Sequence, residues 1–401
     1  MIDRHPARWR ILVLLASAEL LGMSLWFTAS AVAPRLQELW HLSAAETGWL
    51  TTAVQLGFVA GTLTAAVLNL ADVLSSRRYF AGSALLGAAA NTMLVVFPGY
   101  ESAILWRFLT GFFLAGVYPP VMKMTATWFR SARGLAIGTV VGALTIGKAT
   151  PYLVTALEGT GFAEVVLTAS GGAVLAAIMV TIGYRNGPYP FERRPFEWNL
   201  AARVIRHRPT RLAIGGYLGH MWELYAMWTW IPAFLAAAAV AGPGTTPGWT
   251  IDLIAFGAIA AGGAGCVWGG WIADRVGRER LVNLCMAASG ICALLIGLLF
   301  GMSIWLLAVV AWIWGFFVVA DSAQFSSLVT EVAPPHAVGT ALTLQTSLGF
   351  LLTMASIQLI PLLVSSVGWM WSFQVLALGP VFGIASIKRL AGVAGSRVTG
   401  T

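Results

Sequence analysis

Charged residues are scarce in this sequence: Asp, Glu, Lys and Arg make up 10% of its 401 residues, against about 25% in a soluble globular chain. Lysine is rarer still, with only Lys123, Lys148 and Lys388. The three cysteines, Cys266, Cys285 and Cys292, all fall in apolar stretches. They read as small packing residues, and no disulfide framework is expected. No His-Glu-x-x-His or Gly-x-Ser-Gly lies in an apolar run, so intramembrane hydrolysis is not indicated and the chain is not read as an enzyme. No Gly-x-x-x-x-Gly-Lys-Ser/Thr loop is present, so energy for any vectorial work must come from a gradient. No ligand spacing suggests a metal, and no cofactor is expected.

What fills the chain instead is apolar: 58% of residues are hydrophobic. Runs of spanning length, about 20 residues each, follow one another from end to end. Twelve are expected, near 11–33, 47–70, 80–97, 101–127, 134–157, 164–184, 211–238, 251–273, 281–300, 304–329, 338–362 and 368–390. The first run is too long for a secretory signal and has no convincing cleavage site.

The net charge of +8 invites a nucleic-acid reading, which its distribution rejects. Of the 24 Lys and Arg, 20 fall in the N-terminus, alternate loops and the C-terminus. Only Arg35 lies in a loop on the other side, while Arg107, Lys123 and Lys148 lie within spans. This positive-inside pattern puts both termini and the central loop in the cytoplasm of a bacterial-type inner membrane, with lipid as a partner.

The chain also repeats itself. Glu19-Leu20-x-x-Met23-x-x-Trp26 recurs as Glu223-Leu224-x-x-Met227-x-x-Trp230, an offset of 204 residues. Gly111-Phe112-Phe113 recurs as Gly315-Phe316-Phe317 at the same offset. Asp72 with Arg77 and Arg78 recurs as Asp274 with Arg275, Gly277, Arg278 and Arg280, offset by 202. A duplicated polytopic half is the architecture of a transporter whose site lies at the seam between repeats. The expected organisation is a six-helix bundle over 1–184, a Pro- and Arg-rich cytoplasmic linker over 185–210 and a second bundle over 211–401. One chain contains both halves, so a monomer suffices. Glycine ridges, Gly134-x-x-x-Gly138-x-x-x-Gly142 and Gly262, Gly265, Gly269, serve close helix packing or sliding.

The segment Gly270-Trp-Ile-Ala-Asp274-Arg275-Val-Gly277-Arg278-Glu-Arg280 resembles the loop between the second and third helices of each half in the major facilitator superfamily. The first-half copy keeps Asp72, Arg77 and Arg78 but has Ser75 where the family usually has glycine. An acid at a helix end, a tight turn and a basic cluster can form a charge-paired cytoplasmic gate, whose bland alternative is a solvated basic turn. Arg107 followed by Gly111 and Gly116 is similar to that superfamily's fourth-helix motif. Tyr118-Pro119-Pro120, then Trp128-Phe129 and Arg133-Gly134, resemble its organic-anion, cyanate and sugar-phosphate uptake branches. Thr145-Ile-Gly147-Lys148-Ala-Thr150-Pro151 departs from the fifth helix of drug-proton antiporters. The signatures of nitrate porters are also missing. The resemblance implies an all-α membrane protein of twelve helices, in two pseudo-symmetric bundles that rock in alternating access.

A charge at the bilayer centre costs about 2.5–3.5 kcal/mol, so each one requires a reason. Lys148, mid-span, is the first candidate for an anionic substrate; its alternative is a structural pair with Asp321 or a glutamate. Arg107 is a second candidate, and Lys123 a third unless it only snorkels to the surface. Tyr118, Trp26, Tyr225 and Trp230 are candidate cavity-lining aromatics, with Phe27, Trp222 and Trp228 close by in sequence, although interface belts and packing account for such residues equally well. Glu19, Glu223 and Asp321 are candidate proton carriers, because a bound proton removes a costly buried charge. His220, one turn before Glu223, is a candidate relay. Three acids against three bases leave room for internal pairing throughout. The leading expectation is proton-coupled symport of a small organic or inorganic anion. Proton-coupled export of a cationic or amphipathic solute, and a non-transporting receptor, stay open beside it.

Overall fold

The first long helix to announce itself chemically starts at Ser43. Its hydroxyl accepts the Glu46 N–H at 3.3 Å while its own N–H donates to Glu46 Oε2 at 2.8 Å, a reciprocal cap before an apolar run. The computed structural model describes residues 5–157, 160–189 and 197–398, with the side chains of Ala71, Asp72, Asp274 and 394–398 excepted. The spanning helices are numbered in chain order. In the first half α1 is Arg8–Met23, α2 Ala44–Val67, α3 Ser76–Val96, α4 Tyr100–Ala126, α5 Arg133–Thr155 and α6 Phe162–Gly183. In the second, α7 is Arg208–Ala241, α8 Gly248–Val276, α9 Arg278–Leu299, α10 Ile304–Val332, α11 Pro335–Val367 and α12 Trp369–Val393. Eleven of these are long and apolar enough to cross a bilayer. The exception is α1, 16 residues that stop at Met23 before a further turn of helix, Thr28–Ala31. The expected first span is therefore present but interrupted.

The two halves repeat their packing. Helix α1 lies against α5 and α6, α3 against α4 and α6, and α2 against α4; α7 lies against α11 and α12, α9 against α10 and α12, and α8 against α10. The halves then meet along α5/α8 and along α2/α11, contacts that the same pseudo-two-fold exchanges. Glycines make this closeness possible. A Cβ on Gly61 would overlap the Phe112 carbonyl oxygen, and one on Gly265 would overlap that of Phe316. Both members of this relation recur at the same offset of 204 residues.

Helices α4 and α10 break at corresponding places. The first divides into Tyr100–Leu114 and Tyr118–Ala126, the second into Ile304–Ala320 and Ser322–Val332. Such discontinuities leave backbone polar groups at membrane depth, tolerated only inside protein. With twelve crossings both ends of the path lie on one face, called here the basic face. The last part of the expected linker is ordered. Trp198–Arg206 is helical, with Leu200 and Val204 packed against the cluster at the basic-face end of the second half.

Candidate functional site

Lys148 stands at the middle of α5 and is 2% exposed. Its ammonium lies 3.9 Å from the ring centroid of Trp26, 4.7 Å from Tyr225 and 5.6 Å from Trp228, and it donates a hydrogen bond to the Tyr225 hydroxyl. Trp26 belongs to the segment after α1, Tyr225 and Trp228 to α7. The lysine therefore bridges the seam, its charge held by π faces as much as by hydrogen bonds. The rings continue outward: Phe58 and Phe350 lie 4.7 Å apart, and Phe350 is 5.2 Å from Tyr225. Several polar atoms of this cage have no hydrogen-bond partner among the described residues, namely Trp26 Nε1, Trp228 Nε1 and the Tyr152 hydroxyl. Buried orphans of this kind are uncommon and ask for a partner.

Glu19 is fully buried on α1, and neither of its oxygens has a hydrogen-bond partner among the described residues. The neighbours of Glu19 and Lys148 in sequence touch, since a Cβ on Gly147 would overlap the Leu20 carbonyl oxygen, and Tyr118 is half-buried on α4. Glu223 is arranged differently. Its Oε2 accepts from Ser289 at 2.8 Å and its Oε1 from Trp314 Nε1 at 2.7 Å, so it ties α7 to α9 and α10.

Asp321 occupies the break in α10. Its Oδ1 lies 3.0 Å from His220 Nδ1, and His220 Nε2 is 3.0 Å from the Ser322 hydroxyl. Tyr217 stacks on the imidazole at 6.0 Å. The imidazole thus links Asp321 and the half-buried Ser322 across α7 and α10.

Arg107 is also fully buried, but its donors are engaged. They reach Leu25 O at 2.9 Å, Asn91 Oδ1 at 3.3 Å, Leu50 O at 3.5 Å and Trp26 O. The break after α1 frees the carbonyls of Leu25 and Trp26, and the guanidinium fork satisfies them. Lys123 is half-buried near the basic end of α4. Trp230 donates from Nε1 to Ile357 O at 2.8 Å, inside the second half.

Between the halves, Gln55 Oε1 accepts from Thr353 at 2.5 Å and Gln358 Nε2 donates to Thr52 at 3.2 Å. These α2/α11 contacts lie from mid-span toward the face opposite the basic one. Sequence reading passed over Gln55, Thr52, Thr353 and Gln358, although amides in apolar spans are a visible signal. It also passed over Ser322, Ser289 and Trp314, which nothing in their own segments marks.

At the gate, Gly277 has φ +89°, the conformation for which glycine is suited, whereas Ser75 has φ −64° and caps α3 by accepting the Arg78 N–H at 3.4 Å. The departure from glycine therefore costs no strain. Arg278 pairs with Glu331 at 2.7 Å and donates to Gln324 at 2.8 Å, both on α10. Arg275 lies over Trp271 at 3.7 Å, and Arg77 and Arg78 are exposed. The side chains of Asp72 and Asp274 lie outside the described residues.

The Major Facilitator Superfamily model matches residues 14–357. The uncharacterized transporter YgaY of Escherichia coli O157:H7 is 28% identical over 188 residues, 46% of each chain. The match thus spans under half the length of this curated relative. A solved inward-facing, occupied structure of a bacterial homolog to the human lysosomal transporter Spinster superposes with a TM-score of 0.70 at 13% identity, covering 96% of this chain and 97% of that one. The Escherichia coli fucose:proton symporter FucP superposes at 0.67 with 12% identity, covering 96% and 99%. At such identities the two structures speak for the fold alone.

Proposed function

This chain belongs to the major facilitator superfamily and is a multi-pass secondary transporter, not an enzyme; from that premise we propose that it moves a small anion together with a proton, with Lys148 as the anion-binding group. The observation that carries this reading is the Lys148 ammonium, buried at the seam in a ring cage and bridging both halves through Tyr225. Glu19, without a hydrogen-bond partner among the described residues and on the part of α1 that packs against α5 beside Lys148, is the proton carrier. A proton on Glu19 removes the nearby negative charge and leaves Lys148 free to hold the anion. Once both are bound the site is neutral and can cross the low-dielectric middle of the protein. Asp321, His220 and Ser322 form a second proton path in the other half. Arg107 is assigned to the scaffold, because its donors are engaged by the break after α1. The basic face is the cytoplasmic one, by the positive-inside rule, and one chain acts alone. The fucose:proton symporter among the structural neighbours is compatible with proton coupling.

The test is uptake into proteoliposomes with an acidic exterior and a panel of inorganic and organic anions. Uptake that needs the pH gradient, and is lost in Lys148→Gln and uncoupled from protons in Glu19→Gln, is the expected result. Anion flux that ignores Lys148 would falsify it. The rings and the unpartnered Glu19 would also suit a cationic solute exported against protons. That reading requires proton and substrate to compete for Glu19, which a pH series of binding constants measures.

A further inference from the structure

Resting on that reading, we infer that the substrate is an aromatic monocarboxylate, its carboxylate on Lys148 and its ring among Trp26, Tyr225 and Trp228. The charge comes first. A dianion such as a phosphate ester is held in proteins by more than one cation, and the bidentate fork of arginine suits it best. Here the one nearby arginine, Arg107, has its donors directed at Leu25 O, Trp26 O, Leu50 O and Asn91 Oδ1. Lys148 brings one positive charge to the cage, which matches one carboxylate.

The donor inventory comes next. An ammonium has three donors, and Lys148 gives one to the Tyr225 hydroxyl while the others meet ring faces. The orphaned Trp26 Nε1 and Trp228 Nε1 are donors without an acceptor among the described residues, and the Tyr152 hydroxyl has no partner there either. Each of these side chains is buried. A site rich in unsatisfied donors suits a ligand that supplies acceptors, as a carboxylate does.

The walls settle the body of the ligand. Trp26, Phe27, Phe58, Tyr225, Trp228 and Phe350 come from both halves, and their neighbouring centroids are 4.7–6.5 Å apart. That spacing is the range of edge-to-face and offset ring packing, so these rings pack on one another in the closed arrangement, and an aromatic ligand takes up the same kind of contact only as the seam parts. A small inorganic anion would leave those faces unused. In the closed arrangement the Tyr225 hydroxyl stands where the carboxylate would bind, so the ligand and Tyr225 compete for Lys148. Tyr225 is then a seam contact that substrate binding releases.

The experiment is binding of benzoate, nitrate, inorganic phosphate, gluconate and tetraethylammonium to the purified full-length protein, read by calorimetry and tryptophan fluorescence. Benzoate is expected to bind at least about tenfold more tightly than the other anions. Lys148→Gln should weaken it by about tenfold or more, and Tyr225→Phe should strengthen it severalfold by removing the competing hydroxyl. Thermal unfolding of each variant separates loss of binding from loss of fold. The opposite sign expected for Tyr225→Phe cannot arise from misfolding. Preference for nitrate, phosphate or gluconate, still dependent on Lys148, overturns the aromatic-acid assignment and leaves the anion reading standing. Binding of tetraethylammonium alone, or of no anion, overturns both.

Discussion

Glu19 and Glu223 hold the same place in the two halves, yet only Glu223 is hydrogen-bonded. It accepts from Ser289 and Trp314, while both oxygens of Glu19 lack a partner. The duplication accounts for the likeness and later substitution for the difference. Thr110 stands at the first-half position corresponding to Trp314, and its hydroxyl donates to Trp106 O at 2.7 Å instead. One acid has become a tie between helices and the other is left to exchange its charge.

Glu223→Ala is therefore expected to destabilise the protein by about 2 kcal/mol, since it strands the buried Trp314 Nε1–H and leaves Ser289 only its bond to Met286 O. Glu19→Gln removes a buried charge with no bonds to lose, and its unfolding temperature should equal or exceed that of the parent. Thermal unfolding in detergent compares them directly. A larger loss from Glu19→Gln than from Glu223→Ala would reverse the assignment of roles.

Arg107→Lys should be nearly as damaging as Arg107→Ala. One ammonium cannot reach acceptors on the segment after α1, on α2 and on α3 at once, whereas the guanidinium fork does. A loss of about 2–4 kcal/mol is expected from the stranded carbonyls. Limited proteolysis should show new cleavage near 24–27 in both variants. Full stability in Arg107→Lys would mean that the break after α1 is held by something else.

The resemblance between Arg107 and Lys148 shows where sequence reading stops. Both are buried bases, and both were candidates for the substrate. What separates them is the break after α1, which frees two carbonyls for Arg107. The stretch Ser24-Leu25-Trp26-Phe27 contains no proline or glycine to announce it. The twelve spans, the duplication and the glycine ridges were legible because each is a repeated pattern in one dimension. The pairing of His220 with Asp321 and of Lys148 with Tyr225 joins residues 101 and 77 positions apart, and it depends on how helices face each other.

Gly111 and Gly315 give a test of the duplication itself. A Cβ on Gly111 would overlap the Val54 carbonyl, and one on Gly315 that of Ala258. Each alanine substitution must push α4 from α2, or α10 from α8. A cost of about 1–3 kcal/mol is expected for either. Gly82, whose Cβ would meet nothing within 4 Å, serves as the control and should accept alanine without loss. Equal unfolding temperatures for all three would contradict the close approach.

Two sets of polar contacts could govern opening, and only one crosses the seam. Arg278 with Glu331 joins parts of the second half and is partly exposed, at 30% and 53%. An exposed pair is worth about 0–1 kcal/mol, so Glu331→Gln should change stability little. Gln55 with Thr353 and Thr52 with Gln358 join α2 to α11 on the side away from the basic face. Removing both, as Gln55→Ala with Gln358→Ala, should let that side open. Spin labels on cysteines introduced at Ala45 and Ser365, exposed near the far ends of α2 and α11, report the separation. Native Cys266, Cys285 and Cys292 are buried and should stay unlabelled. A longer mean distance in the double variant, and an unchanged one in Glu331→Gln, is the expected pair of results. If instead Glu331→Gln lengthens it, the charged loop governs the far face through the second half, and the α2/α11 hydrogen bonds are not the latch.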